Sequence, residues 1–287
     1  MFKLIKKIIK ACLPYGLAVK LSKYRGNRKT QKDYFQFIPD PECRITGWME
    51  PAHVKLELDP GDWIQKHIFY EGMYEKDAVQ KLYELLPQDG VFFDLGANIG
   101  VYSLNLFRKA KTVFAFEATK TTYNTLNKTI TDNHITNIRT FLNAVDDKDD
   151  AEVKIFYGDR ALGKENNGSN SMHTGGGGII ANTVKTIRLD TFVEQTGLSR
   201  IDLIKIDIEG NELPALKGGT RSVMKYRPVL FCEINPELNL KAGYTAKELY
   251  AYIVKELRYS ARKLSNGSFI PLSKTPESQQ NIFFFPL

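Results

Sequence analysis

Residues 91–117 constrain this chain most. Val91 to Leu95 is an apolar run suited to a buried strand, Gly96-Ala97-Asn98-Ile99-Gly100 is a glycine-punctuated turn, and a short helical stretch leads to a second apolar strand, Val113 to Phe116, which ends in Glu117. A strand, a tight turn, a helix and a second strand closed by an acid is the order of a nucleotide-ribose site in an open parallel α/β sheet. Glu117 lies 21 residues beyond Gly96, near the spacing of about 20 at which a carboxylate takes both ribose hydroxyls.

The details of the turn choose among nucleotides. A dinucleotide fingerprint needs a second glycine so that the backbone can approach a pyrophosphate, but here that place holds Asn98, whose side chain would crowd two phosphates. S-adenosylmethionine has no phosphate. It carries an adenine, a ribose, a sulfonium cation and an amino-acid end, and Asp94 with Asn98 beside the turn suits it. A nicotinamide oxidoreductase is the competing enzyme class, and a binding module on the same fold without catalysis is the other alternative.

The chain has 287 residues, 43% of them hydrophobic, enough for one large α/β domain with an extension or two small domains. Its formal charge of +7 is unevenly placed: Lys3, Lys6, Lys7, Lys10, Lys20, Lys23, Arg25, Arg28 and Lys29 are nine positive charges with no acid among the first thirty residues. The body is therefore near neutral, which argues against a nucleic-acid partner, because phosphate binding relies on clustered Lys and Arg. Phe2, Ile5, Ile8, Ile9 and Cys12 recur at helical spacing opposite the lysines until Pro14 and Gly16 stop the pattern. Residues 1–13 are thus expected to form a basic amphipathic helix that either packs on its own domain or meets an anionic membrane or acidic partner. Lysines interrupt every candidate signal-peptide core, and no stretch of eighteen apolar residues exists to span a bilayer. The expected location is the cytoplasm, and the second of these alternatives adds peripheral contact at the inner face of the membrane. Cys12, Cys43 and Cys232 are odd in number and far apart, as for reduced thiols.

Three segments are expected: the basic extension 1–30, a lead-in subregion 31–75 containing a strand at Val54 to Leu58, and an α/β domain over 76–287. In that domain helices are expected at Glu75 to Leu86 and Thr121 to Asn133, with strands at Ile138 to Ala144, Ala151 to Tyr157, Val184 to Leu189, Ile201 to Ile208 and Val229 to Ile234. Asp190 is a candidate cap for the helix after it, and Asn211 for a helix opening at Glu212. Gly158 to Ala181, with four consecutive glycines at 175–178, is expected to be a flexible loop without chemistry of its own, the alternative being an active-site lid, since loops of this length are also where lids lie. Ser265-Asn-Gly267 is a hairpin signal with Ser268 to Leu272 and Asn281 to Phe285 as its arms. Together these imply a seven-stranded, mostly parallel Rossmann-like sheet closed by a terminal antiparallel hairpin.

Ligands of such sheets lie over the carboxyl ends of the strands, where three further acids fall: Asp207, Glu209 and Glu233. Strand alternation puts Lys205, Asp207 and Glu209 on one side. Methyl transfer from a sulfonium is an in-line displacement that also needs a group to take the acceptor's proton; Asp207 is nearest by topology to the transferred methyl, with Glu209 and Glu233 at the acceptor rim. A less favoured alternative seats Mg²⁺ on these carboxylates. His173, beside the glycine run, is a further candidate base.

Tyr74-Glu75, the run Phe93 to Ser103, Phe114 to Glu117, Asn143-Ala144, Leu189-Asp190, Ile204-Lys-Ile-Asp-Ile-Glu-Gly210 and Leu216-Lys-Gly218 resemble, in order and spacing, the FkbM-type S-adenosylmethionine-dependent methyltransferases over residues 60–270. The resemblance implies a class I methyltransferase fold and O-methylation of a hydroxyl, often in sugar, polysaccharide or polyketide biosynthesis. On this likeness Asp94, Gly96, Asn98 and Gly100 surround the methionine part, Glu117 the ribose, and Asn143 with Ala144 the adenine edge. Ala118 stands where the family usually has proline.

Overall fold

The computed structural model describes residues 44–59, 61–158, 170–173 and 179–287. The expected N-terminal helix, Cys12, Cys43 and the glycine run 175–178 lie outside the described residues. The chain divides into two compact units, Met1–Tyr74 and Glu75–Leu287. In the first, β1 (Ile45–Met49) and β2 (Val54–Leu58) form an antiparallel hairpin, followed by α1 (Trp63–Glu71). Val54, Leu56 and Leu58 are buried in strict alternation, which is why the five residues form a half-buried strand. Asp62 caps α1 by accepting from the Gln65 amide at 2.9 Å, and Gly72 ends it in the left-handed region.

The second unit opens with α2 (Lys76–Leu85) and β3 (Gly90–Leu95), then α3 (Ser103–Leu106), β4 (Ala110–Phe116), α4 (Lys120–Asp132) and β5 (Ile138–Phe141). A side sheet of three strands follows, β6 (Ala144–Val145), β7 (Glu152–Phe156) and β8 (Ile180–Ile187), in the order β6-β8-β7. The chain then runs through α5 (Leu189–Thr196), β9 (Leu203–Ile206), α6 (Glu212–Gly218), α7 (Thr220–Tyr226), β10 (Val229–Ile234), α8 (Pro236–Lys241), α9 (Ala246–Ala251), β11 (Tyr259–Ser265), β12 (Ser268–Pro271) and β13 (Gln280–Pro286). The main sheet has the order β12-β11-β13-β10-β9-β3-β4-β5. The five strands from β10 to β5 are parallel, and β13 pairs antiparallel with β10.

This is the expected mixed α/β class I architecture, with differences in detail. The sheet has eight strands because β12 adds an outer strand to the seven. The Asn266-Gly267 turn joins β11 to β12, both residues at positive φ as a tight hairpin requires. Asn281 to Phe285 is therefore no arm of that hairpin: β13 inserts between β10 and β11. The expected third strand stops at Phe141, and Ala144 belongs to the side sheet, opposite Thr186. Asp190 does not cap its own helix. Its carboxylate accepts from the Ser222 amide at 2.8 Å and the Arg221 amide at 3.2 Å, so it caps α7 across a tertiary contact.

One face of the sheet is apolar. Phe93, Phe114, Phe116 and Phe141 pack against Phe192 of α5, whose ring meets all four edge-on at 4.8–5.9 Å, an arrangement favoured by the ring quadrupoles. Ile204, Ile206, Cys232, Ile282 and Phe284 extend this core.

Candidate functional site

The opposite face turns polar toward the strand ends. Asp94 stands beside Lys205 in the β3–β9 register, Lys205 beside Phe231 in β9–β10, and Glu233 beside Asn281 in β10–β13. Partners in register share a face and residues two apart keep it. Asp94, Lys205, Asp207, Phe231, Glu233 and Asn281 therefore form one stripe across four strands.

The glycine turn is held close to this stripe. Gly96 has φ +81°, and a Cβ there would lie 1.9 Å from the Asp207 carbonyl oxygen, so only glycine lets the β3 and β9 ends meet. Asp94 is fully buried. Its Oδ2 accepts from the Ser103 amide at 3.1 Å and hydroxyl at 2.6 Å, tying the strand end to the start of α3, while Oδ1 is buried without a hydrogen-bond partner among the described residues. Asn98, at φ +50°, folds its side-chain oxygen onto the Ile99 amide at 2.8 Å.

Glu117 sits at the end of β4 with both oxygens oriented: Oε2 accepts from the Asn98 amide at 2.8 Å and Oε1 from the Thr119 amide at 2.7 Å. Two bonds use about half of the roughly four lone-pair sites of a carboxylate, leaving acceptors for a diol. Burial raises its pKa, opposed by these amides. Asn143, just beyond β5, donates to the Lys185 carbonyl at 3.1 Å, and Ala144 is buried.

Lys205 is the cation of the stripe and is 3% exposed. Its ammonium donates to the Gly96 carbonyl at 2.8 Å and lies 3.7 Å from Asp94 and 3.5 Å from Asp207. Burial alone would lower its pKa, but the surrounding carboxylates, Asp207 and Asp94 foremost, more than offset this and hold it charged. The sequence placed Lys205 on the same side as Asp207 but could not show that it also joins β3 to the turn.

At the other end, Glu209 occupies the left-handed region at φ +55°. Desolvation, then the negative charges of Asp207 and Glu233, push its carboxyl well above the usual range. Glu233 is buried and shifted the same way, by desolvation first and Asp207 next. Gln279 donates to its Oε1, and Oε2 has no partner among the described residues. The turn that carries Glu209 is braced by Glu212: Oε1 accepts from the Ile208 and Gly210 amides, each at 3.1 Å, and Oε2 from Asn239 and Tyr244 at 3.2 and 3.1 Å. Asn211 is not the side-chain cap of α6 that its position suggested. Its amide instead donates to the Val145 carbonyl at 2.7 Å, and its oxygen meets the His173 ring at 3.1 Å. Ser171 also donates to the Glu209 carbonyl at 2.7 Å, so residues 171–173 lie against the acid turn.

Glu75 joins the stripe from before α2, accepting from the Tyr102 hydroxyl and, at 3.0 Å, from Asn281. Sequence spacing gave it no role, since 206 residues separate it from Asn281. No group of three or more His, Cys, Asp or Glu side chains among the described residues is placed to hold a metal ion. The arrangement is a polar rim with two oriented carboxylates at the turn, one buried ammonium, and a crowded acid pair at the far end.

Residues 94–261 match the model of the methyltransferase FkbM domain. The hexuronic acid methyltransferase AglP of Haloferax volcanii is 30% identical over 156 residues, 54% of this chain and 61% of that protein. The AMB antimetabolite synthetase AmbE of Pseudomonas aeruginosa is 26% identical over 57% of this chain and 9% of its own length, so the chain spans less than two thirds of either relative. A solved methyltransferase FkbM from Methylobacillus flagellatus superposes with a TM-score of 0.47 at 16% identity, over 77% of this chain and 52% of that one. With more than half of its length matched by the domain model, the chain belongs to the FkbM methyltransferase family.

Proposed function

We propose that this chain transfers a methyl group from S-adenosylmethionine to a hydroxyl of a sugar or polysaccharide precursor. The observation that carries the reading is Glu117, whose carboxylate is oriented by two backbone amides at the end of the strand next to the glycine turn. A ribose diol donates two hydrogen bonds, and Glu117 keeps acceptor capacity on both oxygens. The acid excess of the stripe around Lys205 suits a ligand with a net positive methionyl end. Asp94, Gly96, Asn98 and Gly100 would border that end, and Asn143 and Ala144, beyond β5, the adenine.

S-adenosylmethionine supplies an electrophilic methyl group on a positively charged sulfur. The protein's part is to orient the acceptor oxygen and receive its proton. Glu209 is the proton acceptor in this reading, because it is the more exposed of the two glutamates whose proton affinity is raised well above the usual range. Asp207, 3.5 Å from the Lys205 ammonium, and Glu233 orient the acceptor from either side. The sugar acceptor is supported by the likeness to a hexuronic acid methyltransferase. Incubation with methyl-labelled S-adenosylmethionine and candidate glycans tests the reading: methyl ethers on a glycan hydroxyl are expected, and absence of cofactor binding by calorimetry overturns it.

Residues 1–13 carry this activity, in the same proposal, to an anionic membrane at the cytoplasmic face, where lipid-linked sugars are assembled. Polybasic attraction contributes about 1 kcal/mol per charge near such a surface. No helix among the described residues is long and apolar enough to cross a membrane. Full-length protein should float with phosphatidylglycerol vesicles at low salt and release at high salt, and protein that stays at the bottom under both conditions refutes the contact.

A further inference from the structure

We infer that Glu75 binds the cationic methionyl end of the cofactor, held for that task by Tyr102 and Asn281; the inference rests on the cofactor reading above. Glu75 stands immediately before α2 at φ +51°, a left-handed conformation that non-glycine residues seldom adopt. Capping does not account for it, because the side chain makes no cap hydrogen bond to α2. Its carboxylate turns instead to the stripe, where the Tyr102 hydroxyl donates to Oε2 and the Asn281 amide to Oε1.

Both donors belong to the site. Tyr102 is buried, and its ring centroid lies 5.5 Å from the Lys205 ammonium and 5.7 Å from the Phe231 ring. Asn281 is the register partner of Glu233. Burial raises the pKa of Glu75 and of Asp94, and the Lys205 charge opposes it in both, so three carboxylates, Glu75, Asp94 and Asp207, share one ammonium that already serves the Gly96 carbonyl. A purely structural cluster would be expected to balance its charges. This one keeps negative charge in excess beside the glycine turn, and it keeps Oδ1 of Asp94 and Oδ1 of Asn281 buried without a donor among the described residues. A ligand bearing a sulfonium and an ammonium supplies both the positive charge and the missing N–H groups.

The test compares S-adenosylmethionine with 5′-methylthioadenosine, which keeps the adenosine and the sulfur but lacks both positive charges. Affinities are measured by calorimetry or displacement on full-length wild type, Glu75→Gln and Tyr102→Phe, with thermal unfolding as the folding control. Removing a charged hydrogen-bond partner costs about ten- to a hundredfold in affinity. Glu75→Gln should lose at least about tenfold for S-adenosylmethionine by that rule and leave methylthioadenosine unchanged. Tyr102→Phe, which keeps the charge but frees the carboxylate, should show a smaller loss with the same selectivity, and it serves as the test if Glu75→Gln does not fold. Equal loss for both ligands, or loss for neither, overturns the inference while the cofactor reading stands. Wild type that binds neither ligand overturns both.

Discussion

At the β4 end of the polar rim, Glu117 receives two backbone amides from loops fixed by the sheet, whereas at the β9–β10 end Glu209 and Glu233 face one another and Asp207. All three glutamates have raised proton affinity through burial, but only Glu117 has two backbone amides that work against it; Glu233 has the single Gln279 side chain, and like charge crowds Glu209 and Glu233. A carboxylate supplied with donors is a ready acceptor of hydrogen bonds, suited to holding a diol. A carboxylate short of donors and crowded by like charge is suited to taking a proton. Glu212 makes the contrast sharper: three residues beyond Glu209, its four donors commit it to bracing the turn.

The largest expected effect lies at the crowded end. General-base removal costs ~10² to 10⁴ in rate, so Glu209→Gln should bind cofactor normally and turn over at least about a hundredfold more slowly. Normal single-turnover rates in Glu209→Gln, Glu233→Gln and Asp207→Asn alike would break the comparison, because no carboxylate at that end would then be needed.

Next in size is the bracing residue. Glu212→Ala leaves the Ile208 and Gly210 amides without their acceptor and takes one of two acceptors from each of Asn239 and Tyr244, a loss of roughly 3 kcal/mol from hydrogen bonds to a buried charge. Urea unfolding should register this as a lowered midpoint. An unchanged midpoint would mean that Glu212 is not structural.

Glu117→Ala should cost ~1.5 to 3 kcal/mol in cofactor affinity. Calorimetry on a folded variant reads it directly, and unchanged affinity would remove the ribose assignment.

The smallest effect is on stability against pH. Because the native state raises the pKa of Glu209 and Glu233, it binds their protons more tightly than the unfolded chain does. Stability from this source is fully present below the unfolded value of about 4.3 and is lost as pH rises through the raised native values. The Glu209→Gln/Glu233→Gln protein should therefore gain on wild type in urea midpoint from pH 4 to pH 8. A gap that does not widen with pH would show that the pair is not crowded in solution.

The sequence by itself determined the βαβ unit, the position of Glu117, and the placing of Asp207, Glu209 and Glu233 at strand ends. Those features follow from local rules: apolar runs make buried strands, glycines permit the turn, and the acid follows the strand it ends. The alternation of Lys205 with Asp207 was legible for the same reason. Tertiary structure alone decided that Glu212 braces the turn while Glu209 does not, since both are acids near one turn and only Glu212 gathers donors from Asn239 and Tyr244 as well as from the Ile208 and Gly210 amides. It likewise sent Asp190 to cap α7, split the expected third strand between two sheets, and placed β13 between β10 and β11. Glu75 is the clearest case. Its partners Tyr102 and Asn281 come from opposite ends of the unit, and only the insertion of β13 beside β10 brings Asn281 to the face that Glu75 reaches. Hydrogen bonds between distant segments leave no periodicity in a sequence, because they are set by which strands become neighbours rather than by spacing along the chain.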